Sequence, residues 1–291
     1  NYMPELPEVE VVKRSLENVV LKLSIKDIEV NDANLRYKVK KRDINQIIGL
    51  KILNIKRRSK YLIFFFTKGI VMIALLGMTG KFFIVNKQKI KKKTSFYYNV
   101  DDNKDNKHDR IIFNFKNGTK LIYNDVRKFG FIKFELNDNL KNNNHLKILG
   151  PEPLKSAFNF KYFKSYINGR NTTIKNLLMD QKFVSGLGNI YVNEILYYSK
   201  VNPTKKIINL SDIEIKTMVR NTKKILIKAI KCGGSSIKNF SSSSGKSGSF
   251  QQYFSVYGKK GKKCSNTDCN GVIKKIALSN RASFFCPICQ K

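Results

Sequence analysis

The apolar residues change their spacing between Leu136 and Gly150, from strand-like to helical, and that change limits the architectures open to this chain. Upstream, KILNIKRR, KYLIFFF, IVMIALLG and KFFIV are short runs of β-branched and aromatic residues, each ended by glycine or charge, as strands are. RIIFNFKNGTKLIYND predicts a hairpin around Asn117-Gly118, a pair suited to the positive φ angles of a type I′ turn, and FGFIKFEL predicts one more strand. Downstream, NTTIKNLLMDQ, NIYVNEILYYSK and SDIEIKTMVRNTKKILIKAIK carry apolar residues at helical spacing, the last behind a Ser211 cap. One helix precedes the strands. EVEVVKRSLENVV sets Val9, Val12, Leu16 and Val19 on one face, Pro7 suits its first turn, and Glu8 and Glu10 suit the positive end of its dipole. The expected class is α+β in two domains: a β-rich block over residues 4–137, a polar linker over 138–150, a helical block over 151–250 and a cysteine module over 251–291.

A chain of 291 residues, 42% of them hydrophobic, can bury a core in each block. Its formal charge of +35 implies a polyanionic partner, nucleic acid first, because Lys and Arg neutralise phosphates. Part of that excess belongs to a general richness in Lys, Asn and Ile, seen also in the solvated stretches NKQKIKKK and DDNKDNKHD between Val85 and Arg110. No stretch reaches the roughly eighteen uninterrupted apolar residues of a membrane span. The start lacks the basic-then-apolar layout of a signal peptide. Four of the five cysteines fall in the last 28 residues, which speaks for a metal site in a reducing compartment and against a disulfide framework. Cys232 stands apart as a small buried hydrophobe. The expectation is a soluble intracellular protein.

The clustered cysteines read Cys264-x4-Cys269, sixteen residues, then Cys286-x2-Cys289. Two close pairs of thiolates suit one tetrahedral zinc ion, structural in role because there is no nearby His and no open position. Between the pairs, Asn280-Arg281-Ala282-Ser283 falls at a hairpin tip, where an arginine is a phosphate contact or simply solvated. In GLGNIYVNE two glycines open a helix; its first N–H groups, with Asn189, suit one phosphate or form an ordinary helix start. Asp125-Val126-Arg127-Lys128-Phe129-Gly130 follows a strand and sets Arg127 and Phe129 two apart, on one side of an extended chain. Such a pair either fills the gap a flipped base leaves in duplex DNA or packs into the core.

Together PELPEVE, SKYL, LLGMTG, KHD, DVRKFG, LGPEPL, MDQKFVSGLGNIYVNE and RASFFCPICQK, in order from Pro4 to Lys291, resemble the formamidopyrimidine-DNA glycosylases, bacterial enzymes that excise oxidised purines. The resemblance implies an N-terminal β-sandwich flanked by helices, then a helix–two-turn–helix domain with a zinc finger. It implies a bifunctional glycosylase and AP lyase acting on 8-oxoguanine and formamidopyrimidines in double-stranded DNA, working as a monomer at the nucleoid of the bacterial cytoplasm. Pro4 would carry the attacking nitrogen, which requires that Met3 be the start and be removed. An α-amine, with a reference pKa of about 8, is a free base at neutral pH far more readily than a lysine at about 10.4. Glu5 matches the acid at the sugar ring, Lys60 the lysine of β-elimination, and Arg281 the finger arginine of δ-elimination. His108, Arg127, Lys175 and Asn189 match DNA-contacting positions, and Met78, Arg127 and Phe129 match the trio inserted into the duplex. Cys264, Cys269, Cys286 and Cys289 match the ligands of one structural zinc ion.

Several residues depart from that family's pattern. Leu75 stands where a His is usual, and Asn171 where a DNA-contacting Lys is usual, with Arg170 beside it as a substitute. Val126 and Lys128 replace the proline and second arginine of DPRRFG. The loop tip GKPGYF reads Gly245-Lys246-Ser247-Gly248-Ser249-Phe250, which loosens a loop that closes over a flipped base. Two rival readings follow. One is the sister endonuclease VIII branch, which acts on oxidised pyrimidines and usually starts PEGPE. The other is a non-catalytic damaged-DNA-binding protein, the outcome of a blocked Pro4, since an amide nitrogen has no usable lone pair.

Overall fold

The structure is a computed structural model and describes residues 3–88, 91–94, 106–235 and 249–291. Residues 245–248 of the loop tip and most of the lysine-rich stretch ahead of His108 lie outside the described residues. The chain forms two compact units, Asn1–Lys147 with Cys232–Ser249, and Ile148–Lys231 with Phe250–Lys291. Among the described residues, positions 232–235, which the sequence groups with the helices, fall in the first unit. The cause is local: the Ser235 backbone N–H and hydroxyl both donate to the Glu8 carboxylate, at 2.9 and 3.0 Å.

The first unit opens with α1 (Leu6–Val20), followed by β1 (Ile25–Val30), α2 (Lys41–Asn45), β2 (Ile52–Arg58), β3 (Tyr61–Phe66), β4 (Ile70–Leu75), β5 (Gly80–Val85), β6 (Lys91–Lys93), β7 (Asp109–Phe115), β8 (Lys120–Asp125) and β9 (Phe131–Leu136). The apolar stripe of α1 is Val9, Val12, Leu16 and Val20, all buried, whereas Val19 is 39% exposed. A period of 3.6 residues carries the stripe from Leu16 to Val20 and leaves Val19 outside. The strands form two antiparallel sheets, ordered β1-β7-β8-β5-β6 and β2-β3-β4-β9. Phe64 and Met72 of one sheet, Phe82, Phe113 and Tyr123 of the other, and Val12 and Leu16 of α1 share a single core. The other face of the second sheet is also apolar. Ile63, Val71, Ile73 and Phe131 are buried there with Leu140 and Leu146 packed over them. The polar stretch after Leu136 is thus no bare linker, since a 3₁₀ turn at Asn137–Asn142 opens a cover held by those two leucines.

The hairpin expected at Asn117-Gly118 is present, with a different turn. Only Gly118 takes a positive φ (86°), Gly118 N–H donates to the Phe115 carbonyl at 3.0 Å, and Phe115 N–H donates to the Thr119 carbonyl at 2.9 Å. That is a three-residue loop with one left-handed position, the type I turn plus bulge that competes with type I′ for Asn-Gly sequences.

The second unit carries α3 (Phe160–Ile167), α4 (Ile174–Met179), α5 (Asn189–Tyr198), α6 (Asp212–Lys231) and a terminal hairpin, β10 (Lys274–Leu278) and β11 (Arg281–Phe285). Ser211 caps α6 as expected: Glu214 N–H donates to its hydroxyl at 3.2 Å, and its own N–H donates to the Glu214 carboxylate at 2.8 Å. The hairpin turns at Ser279-Asn280, both left-handed with φ of 47° and 59°, so Arg281 begins β11. Val256, Ile273, Phe284 and the four clustered cysteines form its small core. Among the described residues, no helix is long and apolar enough to cross a membrane.

Candidate active site and nucleic-acid interface

Pro4 and Glu5 are buried at the mouth of α1. Glu5 N–H donates to the Glu8 carboxylate at 3.0 Å, and the Glu5 carboxylate accepts from the Glu8 N–H, a reciprocal capping box. Glu8 is fully buried and also holds Ser235. The sequence suggests only a dipole charge at Glu8; the fold makes it the brace of the Pro4–Glu5 peptide. Two residues on, the Glu10 carboxylate accepts from Arg57 Nε at 2.9 Å and joins α1 to β2. Burial pushes the Glu10 carboxyl up, but the Arg57 hydrogen bond and charge, with Lys13 and Arg14 beside them, together hold the group below the usual carboxylate range. Past Arg57, β2 turns into β3 through Ser59, whose φ of 56° is a left-handed conformation costing a non-glycine residue about 1 kcal/mol. Lys60 follows in that turn and is buried. Pro4 and Glu5 lead into α1, Lys60 lies between β2 and β3, and α1 packs against both of those strands.

Met78, Arg127 and Phe129 sit on two neighbouring loops of the same unit. Phe129 is 42% exposed, and the Arg127 guanidinium lies over its ring at 4.4 Å. Met78 is half-buried. Leu75 ends β4, opposite Phe131 of β9. His108 lies in a short 3₁₀ turn before β7 and accepts through Nδ1 from Arg110 at 3.2 Å, which places its own proton on Nε2. Arg110 also bonds the Asp125 carbonyl at 2.9 Å and the Asp32 carboxylate at 3.1 Å, tying this turn to the Arg127 loop.

In the second unit the expected residues converge on the hairpin rather than on open solvent. Lys175 is 1% exposed and donates to the Ala282 carbonyl at 2.9 Å and the Ser283 hydroxyl at 2.6 Å. Asn189 donates to the same Ala282 carbonyl at 2.9 Å. Arg281 is the next residue back and is exposed. Lys175, Asn189 and Arg281 are thus brought together at the hairpin. Asn171 stays apart, exposed ahead of α4. Arg170, its neighbour, donates to the Tyr166 carbonyl at 2.8 Å and stacks on the Tyr166 ring at 4.2 Å. A residue missed by the sequence reading is Glu194. Its buried carboxylate accepts from the N–H groups of Ser255, Val256 and Tyr257 at 2.8, 3.0 and 2.9 Å. Burial pushes its carboxyl up, and those three donors oppose the shift. The one charged residue inside the helical run NIYVNEILYY was the available signal.

The cysteine sulfurs of Cys264, Cys269, Cys286 and Cys289 all lie within 4.8 Å of one another. Cys264 to Cys289 measures 3.8 Å and Cys269 to Cys286 measures 3.6 Å. Zinc–sulfur bonds of about 2.3 Å at tetrahedral angles set sulfurs roughly 3.8 Å apart, so the four residues fit a zinc ion. Each sulfur also has a donor at hand. Tyr197 hydroxyl meets Cys264 at 3.3 Å, Gly271 N–H meets Cys269 at 3.3 Å, Cys289 N–H meets Cys286 at 3.5 Å, and Asn266 Nδ2 meets Cys289 at 3.6 Å. Such donors spread the charge of four thiolates around one dication.

Comparison with known proteins gives the family. Residues 3–132 match the formamidopyrimidine-DNA glycosylase N-terminal domain, and residues 149–241 match the formamidopyrimidine-DNA glycosylase H2TH domain. The formamidopyrimidine-DNA glycosylase of Rickettsia bellii (strain OSU 85-389) is 39% identical over 290 residues, covering 99% of this chain and 100% of that protein. That of Cereibacter sphaeroides (strain KD131 / KCTC 12085) is 36% identical over 289 residues, covering 99% and 100%. The Lactococcus lactis Fpg in complex with abasic-site DNA superposes with a TM-score of 0.84 at 35% identity, covering 99% of each chain. Its complex with Fapy-dG-containing DNA gives the same score and identity, covering 99% of this chain and 100% of that one. With both domain models matched in order and relatives aligned over nearly its whole length, the chain belongs to the formamidopyrimidine-DNA glycosylase family of DNA repair glycosylases.

Proposed function

We propose that this chain excises oxidised purines from duplex DNA and then cleaves the abasic strand by β,δ-elimination, with Pro4 as nucleophile. The observation that carries the proposal is the reciprocal Glu5/Glu8 pairing, which fixes the Pro4–Glu5 peptide at the mouth of a buried helix. A nucleophile held in one place avoids the entropic cost of finding its target in each turnover. The Pro4 nitrogen attacks the deoxyribose C1′, the glycosidic bond breaks, and the base leaves. The resulting iminium is an electron sink: loss of a C2′ proton expels the 3′ phosphate, and a second elimination expels the 5′ phosphate. Glu5 carries the proton as the sugar ring opens, Lys60 serves the first elimination and Arg281 the second. Zinc would be held by Cys264, Cys269, Cys286 and Cys289, with a structural and not a chemical contribution. The residues do the rest, by setting β11 and therefore Arg281 in place.

The substrate is double-stranded DNA carrying an oxidised base or an abasic site; support comes from the Lactococcus lactis protein, which is solved in complex with abasic-site DNA and with Fapy-dG-containing DNA. Met78, Arg127 and Phe129 enter the duplex, His108, Asn189 and the Asn171 loop contact its backbone, and buried Lys175 acts from behind by holding the hairpin that bears Arg281. Affinity falls steeply with salt, as for any protein neutralising several phosphates. A second reading, excision of oxidised pyrimidines, has one observation in its favour: a Lactococcus lactis complex with oxidised-pyrimidine DNA is also a structural match, at TM-score 0.84. Borohydride trapping tests the proposal. Protein beginning at Pro4 forms a covalent adduct with an 8-oxoguanine duplex, and protein retaining Asn1-Tyr2-Met3 forms none. Absence of an adduct from the Pro4-started protein overturns the lyase, and faster release of thymine glycol than of 8-oxoguanine overturns the purine preference.

A further inference from the structure

The two loops that carry Met78 and the Arg127/Phe129 pair share one small hydrogen-bond network. Asp125 is fully buried at the end of β8. Its Oδ1 accepts from the Thr79 hydroxyl, and from Lys128 N–H at 3.1 Å. Its Oδ2 accepts from Gly130 N–H at 2.9 Å and from the Tyr123 hydroxyl at 3.2 Å. Thr79 in turn accepts Arg127 N–H at 3.0 Å. One threonine hydroxyl therefore gives to one loop's carboxylate and receives from the same loop's backbone, one residue away from Met78.

Two further features show that the loops are fitted to each other. A Cβ on Gly77, whose φ is 62°, would lie 2.7 Å from the Phe129 carbonyl carbon, so the two backbones touch at that point. Lys128, between Arg127 and Phe129, is left-handed with a φ of 57°. Its side chain bonds the Asp32 carboxylate at 2.6 Å, and that contact leads the causes holding the Asp32 carboxyl below its ordinary range. Position 126 is valine and 40% exposed, so no proline ring stiffens this turn. Its shape rests on hydrogen bonds.

We infer that Thr79 and Asp125 are a positioning pair that holds Met78, Arg127 and Phe129 as one preformed wedge. The inference rests on the proposed function for the meaning of the wedge. Neither residue touches substrate in this account; both act through the side chains they place. A wedge already in register enters the duplex without ordering two loops at the moment of insertion, and misplacement by about 1 Å is enough to cost roughly 100-fold in rate. An abasic site in single-stranded DNA has no stack to open. Its cleavage is therefore insensitive to the pair.

The test uses Thr79→Val, which keeps the shape and removes both hydrogen bonds, and Thr79→Ser, which keeps the hydroxyl. Insertion is read without chemistry, from the fluorescence rise of 2-aminopurine beside a tetrahydrofuran abasic analogue in duplex DNA. Chemistry is read from single-turnover cleavage of an 8-oxoguanine duplex and of a single-stranded abasic oligonucleotide. The inference expects Thr79→Val to lose most of the fluorescence rise and to slow duplex excision by about 10- to 100-fold. Single-strand cleavage stays within about two-fold, and Thr79→Ser restores both duplex readouts. Unchanged fluorescence and excision in Thr79→Val overturn it. So does an equal slowing on both substrates, which marks a general loss of structure, and so does a wild-type protein that produces no fluorescence rise. A wild-type rise without any covalent trapping overturns the proposed chemistry and leaves the positioning pair standing.

Discussion

The two units hold the side chains proposed to act on DNA in place by different means. In the first, Pro4, Glu5, Lys60 and the Met78/Arg127/Phe129 loops stand at the edges of a core that spans two sheets and α1, and buried carboxylates add local bracing. In the second, the hairpin that bears Arg281 has only a small apolar cluster of its own. Its place is set by polar anchors: Lys175 and Asn189 on Ala282, Asn193 on Phe284 N–H at 2.7 Å, Glu194 on three successive N–H groups, and four cysteines. Polar bonds refine a geometry that apolar packing has already fixed in the first unit, and substitute for such packing in the finger. Damage should therefore be graded in the sandwich and all-or-none in the finger.

The largest effect is expected from denying the four cysteines the zinc ion they fit. Structural zinc contributes on the order of 10 kcal/mol to the folding of small metal-held modules. Chelation, or Cys286→Ala, is expected to unfold the β10–β11 hairpin and weaken DNA binding while the sandwich stays folded. Limited proteolysis reads this, and a protected hairpin in zinc-free protein would erase the contrast between the units. Next comes Asp125→Ala, which strands the N–H groups of Lys128 and Gly130 and removes one acceptor of the Tyr123 hydroxyl. A loss of about 3 kcal/mol is expected in urea unfolding of the first unit, with its fold retained. Tyr197→Phe sharpens the comparison from the other side. It removes the hydroxyl at Cys264 and leaves every ligand, so zinc transfer to a chromogenic chelator should quicken by about ten-fold without loss of the hairpin.

The smallest effect is expected at Glu10→Gln, which weakens the α1–β2 link by about 1 kcal/mol at neutral pH. The Glu10 carboxyl titrates lower in the fold than its ordinary value of 4.5, so the folded state binds the proton less readily than the unfolded one. Its contribution is fully present above pH 4.5 and disappears as pH falls through the folded value. The difference between wild type and Glu10→Gln should therefore close on acidification, which denaturation curves at several pH values would show.

Local signals were the ones that survived translation from sequence to fold. The strand runs became β2 to β5 and β7 to β9, α1, α5 and α6 lie where apolar periodicity sets them, and the cysteine spacing became a cluster of matching geometry. Residues whose meaning depends on distant partners stayed hidden. Glu8 answers to Ser235, Asp125 to Thr79, and Lys175 to Ala282, separated by 227, 46 and 107 positions. Nothing in the local pattern distinguishes these from solvated charges. Strand β1 and helix α3 were missed for a related reason. The alternation of IKDIEV is broken by charge, and α3 is only eight residues long, although its Asn159 cap, which accepts Tyr162 N–H at 3.0 Å, was visible. At Asn117-Gly118 the hairpin was legible and its turn type was not, because Asn-Gly serves both competing loops.

The proposed chemistry requires that the nitrogen of Pro4 make the covalent bond to DNA. Peptide mapping of the borohydride-trapped adduct tests it most directly, using protein that begins at Pro4 and an 8-oxoguanine duplex. The account predicts a single modified peptide, the N-terminal one, with the sugar on the proline nitrogen. An adduct on Lys60, or on any other lysine with Pro4 unmodified, would contradict it.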